Sequence, residues 1–134
     1  LRQSELHGIE IPNRTKRLIA TFFADDTTVY LSKSDCFGDL ESILAEWCLA
    51  SGARFNISKT EIIPIGTPEH REMMRQHRQL TEGEGTIIPA HIKIAREGEA
   101  IRSLGALIGN GVCQVEPWTK VLEKIDKSLS QWEK

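Results

Sequence analysis

Apolar positions along the chain alternate between strand-like and helix-like rhythms. Over residues 18–31, LIATFFADDTTVYL, two runs rich in β-branched and aromatic residues flank the polar break Ala24-Asp25-Asp26, which predicts a β-hairpin. In the second run Thr28 and Tyr30 share one face, and Val29 and Leu31 share the other. The first run is apolar almost throughout and is expected to be buried on both faces. Phe37, Leu40, Ile43, Leu44 and Trp47 then recur at spacings of three and four, one apolar face of a helix over 36–51. Ser34 or Asp35 can cap its start, and Gly52 is a natural left-handed stop. Near the end, Trp118, Val121, Leu122, Ile125, Leu129 and Trp132 mark a second, longer helical face. Pro117 stands where a first helical residue would stand, and no stop signal follows before Lys134.

The intervening elements are weaker. Residues 1–17 read as the tail of a helix or loop followed by a turn around Gly8 to Asn13. Residues 60–65 read as a strand that Pro64 confines to an edge or ends early. Pro68 to about Arg78 reads as a short polar helix, and 79–90, with Gly83, Gly85 and Pro89, as a loop. His91–Ala95 and Ile101–Ile108 are strand candidates joined by a turn at Glu97-Gly98-Glu99, and Gly109-Asn110-Gly111 breaks the chain after them. The order predicts an α+β fold, an antiparallel sheet with helices on one face.

Composition narrows the class. The chain has 134 residues, of which 40% are hydrophobic and 27% charged, the profile of a globular domain or part of one. No apolar run approaches the roughly 18 residues of a membrane span, and no signal-peptide pattern occurs. The start at Leu1 reads as a cut. Cys36, Cys48 and Cys113 are odd in number with no CxxC pair, which favours a reducing, intracellular setting over a disulfide framework. The net charge of −2 lacks the basic surplus of a free-standing nucleic-acid binder, while leaving room for an acidic floor that holds cations.

Asp25 and Asp26 are the chemical centre of the sequence. Phosphoryl transfer to a growing strand is commonly run by two divalent ions about 4 Å apart, and hard ions such as Mg²⁺ take carboxylate oxygens. A hairpin tip can aim one carboxylate at an ion and leave the second nearby, and small Ala24 leaves room for the ion and a nucleic-acid end to approach. Asp-Asp is also common in plain turns, because Asp tolerates turn geometry. Other polar clusters carry the same ambiguity. Arg71, Arg75 and Arg78 form a basic stripe that suits a phosphate backbone or local acids such as Glu69 and Glu72, and the solvated reading is preferred. Arg14, Lys16 and Arg17 form a smaller cluster. His70 and His77 lack the two further ligands that zinc would need. Trp118 and Trp132 read as core, and their stripe, if left without a partner, favours self-association.

FFADDTTVYL, an amphipathic helix ending in Trp47, SGARFNISKTEIIPIG and IRSLGALIG follow one another in order. This succession resembles the reverse transcriptases of non-LTR (LINE-type) retrotransposons from about Gly8 onward. Phe23-Ala24-Asp25-Asp26 resembles the Phe/Tyr-Ala-Asp-Asp motif of their palm, and Ser103-Leu104-Gly105 their primer-grip hairpin, usually Tyr/Phe-Leu-Gly. The resemblance implies a palm segment over 1–111 and the start of a thumb over 112–134. It implies Asp25 as a metal-ligating carboxylate and Asp26 as its companion. Lys59 would donate a proton to, or steady, the leaving pyrophosphate, with a solvated lysine as the equal alternative. Leu104 and Gly105 would shape the hairpin that holds the primer end, Gly105 by allowing a close backbone approach or simply as a bulge. The implied activity is RNA-directed DNA synthesis, with Mg²⁺ or Mn²⁺ as cofactor, RNA template, DNA primer and deoxynucleotide triphosphates as partners, and a nuclear location. The family's third palm aspartate, its Gln-Gly-x-Pro segment and its fingers do not precede Leu1, so the chain is expected to be inert alone. Ser103 also departs from the family's aromatic. Two other readings stay open. One is a decayed or domesticated remnant binding RNA or protein through the last helix or the arginine stripe. The other is a different palm-type polymerase or cyclase.

Overall fold

The computed structural model describes residues 3–13, 16–83, 85–113 and 115–132. The chain divides into two compact units, Leu1–Ile94 and Ala95–Lys134, so the expected thumb start at 112 lies inside the second. The class is mixed α+β. Among the described residues there are three α-helices and four separate two-stranded sheets, three antiparallel and one parallel, in place of one antiparallel sheet.

The first unit begins with two short strands the sequence reading missed. β1 (Ile9–Glu10) pairs antiparallel with β2 (Arg17–Leu18). Gly8, at φ 63°, makes the pairing sterically feasible: a Cβ there would drive into the Leu18 carbonyl oxygen and against Ile19. Gly8→Ala therefore combines a left-handed backbone with a backbone clash, and should destabilise this unit by about 2–3 kcal/mol in urea denaturation. An unchanged midpoint would show that β1 and β2 separate at no cost.

β3 (Ala20–Phe23) and β4 (Asp26–Val29) form the expected hairpin, with Ala20 opposite Val29 and Phe23 opposite Asp26. Alternation puts Ala20, Phe22, Thr27 and Val29 on one face and Thr21, Phe23, Asp26 and Thr28 on the other. The first face looks inward, since Ala20 is buried and Val29 packs on the core. Burial of the first run on both faces is not found: Phe22 is 58% exposed and Phe23 66%. With a single partner strand and no second layer over the outer face, only the base of the hairpin is covered.

α1 (Phe37–Ser51) follows the predicted span and turns Phe37 and Leu40 into the core. Gly52, at φ 72°, closes it by donating its N–H to the Cys48 carbonyl. The expected cap is corrected: Cys36 occupies the N-cap without a side-chain bond, because the Asp35 carboxylate is turned to other donors. Trp47 is half exposed and packs at a tilt on Phe55, ring centroids 5.2 Å apart. A 3₁₀ turn (Ile57–Lys59) leads into β5 (Glu61–Ile62), which ends before the fully buried Pro64.

α2 (Pro68–His77) is the polar helix the sequence predicts. Thr67 Oγ1 accepts from the His70 N–H at 3.3 Å, Pro68 lies in the first turn, and Arg78 ends the helix at φ 54°. The loop that follows leads to β6 (Lys93–Ile94), which pairs in parallel with β5. The pairing is supported by a 3.0 Å Lys93–Glu61 ion pair. The sequence reading joined this strand to the next one instead, because parallel pairing across a long crossover leaves no local trace. The core of the unit gathers Leu6, Phe37, Leu40, Met74, Leu80, Ile88 and Ile92.

In the second unit the predicted strand 101–108 is a hairpin. β7 (Ile101–Ser103) and β8 (Ala106–Ile108) flank a two-residue turn, with Leu104 at φ 49° and Gly105 at φ 85°. Two successive left-handed residues give a type I′ turn, whose twist matches that of the strands. α3 (Val115–Trp132) begins two residues ahead of Pro117. Its apolar face is exposed along its whole length.

Candidate functional site

The β3–β4 tip is a two-residue turn of Ala24 and Asp25. Ala24 takes a left-handed φ of 52°, a conformation that costs a non-glycine residue about 1 kcal/mol. The two carboxylates are not equivalent. Asp25 belongs to the turn, whereas Asp26 is the first residue of β4, facing outward beside Phe23. Both are exposed, and among the described residues neither carboxylate has a hydrogen-bond or ion-pair partner. Their oxygens are the donor type Mg²⁺ and Mn²⁺ take, and one or two carboxylates completed by water and substrate phosphates is a usual Mg²⁺ arrangement. The pair therefore fits a divalent ion as a partial donor set. Among the described residues no three His, Cys, Asp or Glu side chains cluster.

Lys59 ends the 3₁₀ turn, where its N–H donates to the Asn56 carbonyl at 3.0 Å. Its side chain is exposed. Leu104 and Gly105 occupy the β7–β8 turn, with Leu104 60% exposed. Open space surrounds the position a Gly105 Cβ would take. Within the chain the glycine is required by its left-handed backbone angle, since no protein atom lies close to it.

The arginine stripe is spent locally. Arg71 donates to the Gly66 carbonyl at 2.5 Å, and Arg75 pairs with Glu72 at 2.8 Å. Arg78 folds back on the chain, its Nε donating to Ile88 O at 2.8 Å and its Nη2 to Pro89 O and Ile92 O at 2.6 and 2.5 Å. Of the smaller basic cluster, Arg17 pairs with Glu10 at 3.5 Å, and Arg14 lies outside the described residues. The three cysteines are free thiols.

The most heavily bonded acidic group is one the sequence reading treated as a helix cap. The side chain of Asp35 is 1% exposed. Oδ1 accepts from the His7 N–H at 2.6 Å and lies 3.2 Å from His7 Nδ1. Oδ2 accepts from the N–H groups of Gly8 and Ser32 at 2.9 and 2.7 Å and from the Ser32 hydroxyl at 3.0 Å. Burial alone would raise its pKa. The donors at His7, Ser32 and Gly8 outweigh that and hold it below the ordinary 3.8. Glu69 is also held below its usual value, by its own N–H and the Thr67 hydroxyl at the start of α2. In the sequence Asp35 reads only as a possible helix cap, with no sign of donors 27 and 28 residues away.

Among the described residues no helix is long and apolar enough to cross a membrane. Compared with protein-family models, with curated proteins and with solved structures, the chain finds no match in any of the three.

Proposed function

We propose that this chain is a palm segment of an RNA-directed DNA polymerase of the non-LTR retrotransposon type, with α3 as the start of its thumb. The observation that carries the reading is the presentation of Phe23-Ala24-Asp25-Asp26. The motif caps an antiparallel hairpin, its two carboxylates exposed and unshared, with a strained Ala24 as the first residue of the turn. Strain of this kind persists where the surrounding structure enforces it, and it gathers at functional sites. Divalent ions, when bound, would supply activation of the primer hydroxyl and neutralisation of the leaving pyrophosphate. Asp25 would hold the ion through its carboxylate. Asp26, one residue on and fixed by pairing with Phe23, would add negative charge from the strand end. Lys59 would offer its ammonium to the leaving group, and the Leu104-Gly105 turn would steady the primer end.

Two measurements test this together. Mn²⁺ binding to the purified chain, read by the loss of its free-ion paramagnetic resonance signal, should be weak and should vanish in Asp25→Ala/Asp26→Ala. A reverse transcriptase carrying this chain in place of its own palm segment should extend a primer on RNA, and Asp25→Ala should lower that rate by at least about 10²–10³-fold. Mn²⁺ binding indifferent to both substitutions, or undiminished extension by the variant, would refute the reading. The remnant reading draws on one observation, the exposed apolar face of α3.

A further inference from the structure

We infer that Asp35 is a positioning residue for the candidate metal site: its Oδ2 joins the two feet of the β3–β4 hairpin and so aims the carboxylates of Asp25 and Asp26. This rests on the reading of that pair as ion ligands. The hairpin is held at its base alone. Ala20 is buried and Val29 packs on the core, whereas Phe22 and Phe23 are bare and the turn lies beyond them. From Ser32 to Asp26 the chain runs six positions, up to about 20 Å at ~3.3 Å per residue. A tilt of about 10° at the base would carry the tip about 3.5 Å, and a misplacement of about 1 Å at reacting groups can cost on the order of 10²-fold in rate. A site on such a lever needs a base that is fixed in angle as well as packed.

The hydrogen bonds form a closed ring around that base. β1 pairs with β2, and β2 passes through Ile19 into β3, so the foot of β3 is tied to β1. Gly8, the residue before β1, lies against Leu18 and Ile19. The foot of β4 is Ser32, reached after Tyr30 donates its N–H to the Ile19 carbonyl at 2.8 Å. One oxygen completes the ring: Asp35 Oδ2 accepts from the Gly8 N–H at 2.9 Å and from the Ser32 N–H at 2.7 Å. Oδ1 takes the adjoining His7 N–H at 2.6 Å. The segment that carries Asp35 is held from a third side, where Thr81 Oγ1 donates to the Lys33 carbonyl at 2.6 Å.

The choice of a carboxylate follows from this task. An apolar contact at the same point would resist separation but allow sliding, because hydrophobic burial has no direction. Hydrogen bonds to an ionised oxygen are short and directional. The Asp35 side chain is 1% exposed, so water does not compete for them. Fixing a register is also the best-attested use of a buried charge, whose burial otherwise costs stability.

Two measurements on Asp35→Asn test the inference. The variant keeps the size of the side chain and one carbonyl acceptor, but turns an amide toward the donors. Residual dipolar couplings of backbone amides in the full chain average over motions up to milliseconds. Those of residues 20–30 should fall by about a third from wild type, the difference between a rigid and a flexible backbone, while those of α1 and α2 hold. In the grafted polymerase, kcat should fall about 10²-fold with KM for the nucleotide unchanged. Ile88, in the core and bonded to neither foot, supplies the control: its valine or alanine variant, matched to Asp35→Asn in urea midpoint, should keep its kcat. Asp35→Glu keeps both oxygens and lengthens the arm by one methylene, and it takes over if the asparagine variant does not fold; its couplings should hold while kcat falls. Unchanged hairpin couplings in Asp35→Asn, a decline shared by α1 and α2, or a kcat in either variant no lower than that of the Ile88 control would each overturn the inference. The couplings are read without metal, so they answer for Asp35 separately from the loss of extension in Asp25→Ala, on which the polymerase reading stands or falls.

Discussion

Replacing Asp35 by alanine should lower the stability of the Leu1–Ile94 unit by about 4 kcal/mol, because each backbone donor left without a partner in a buried site costs roughly 1–3 kcal/mol. Three such donors, at His7, Gly8 and Ser32, converge on this carboxylate. Asp35→Asn should be milder, since its carbonyl still accepts while its amide opposes the remaining donors. Acid should act as the substitution does. The folded pKa is depressed below 3.8, so the stabilisation is complete above that value and is lost as pH falls through the folded pKa. Urea midpoints measured from pH 7 to pH 2 check both statements. The wild-type curve should fall steeply below about pH 4, and the Asp35→Ala curve should lack that component. Parallel curves for the two proteins would show that the carboxylate is not the group responsible.

Arg78→Ala should cost the same unit about 3 kcal/mol, measured by chemical denaturation. Hydrogen bonds from a charged donor contribute about 1.5–3 kcal/mol each, and the Arg78 guanidinium serves three carbonyls in a chain segment that has no helix or strand to satisfy them. Arg78→Lys should lose nearly as much, since an ammonium is one point and the three carbonyls require a planar fork. Arg78→Gly separates backbone from side chain. Relief of the left-handed φ of 54° should make glycine about 1 kcal/mol less harmful than alanine. Equal stability of the lysine variant and the wild type would rule out the fork as the source.

These two residues also mark where the sequence ceased to be readable. Local signals were read well. The 37–51 helix, its Gly52 stop, the helix start at Pro68 and the hairpin around Ala24 each depend on neighbours within a few positions. Asp35 and Arg78 read as a cap and as one member of a basic stripe, because the backbone donors at Gly8 and His7 lie 27 and 28 residues from Asp35 and the carbonyls that Arg78 serves lie 10 to 14 residues on, and backbone groups carry no side-chain signature. Apolar patterning reads 101–108 as one strand because Leu104 has no intrinsic preference for a left-handed angle, whereas the family resemblance implies a hairpin shaped by Leu104 and Gly105. At the candidate site, the sequence indicated the hairpin and its carboxylates. It gave no hint that Phe22 and Phe23 would be bare.

The Arg78 clamp has a consequence in time. The parallel strands bring together Glu61 and Lys93, 32 positions apart, while the clamp spans only 10 to 14. Closing a chain loop costs entropy that grows with its length, about 0.6 kcal/mol per doubling. A chain that seats the guanidinium first has already folded the 78–92 segment back on itself, and the remaining search for β5 and β6 is shorter. The β5–β6 pairing is therefore expected to close after the clamp, and Arg78→Ala should slow refolding, read by stopped-flow fluorescence, as well as lower stability.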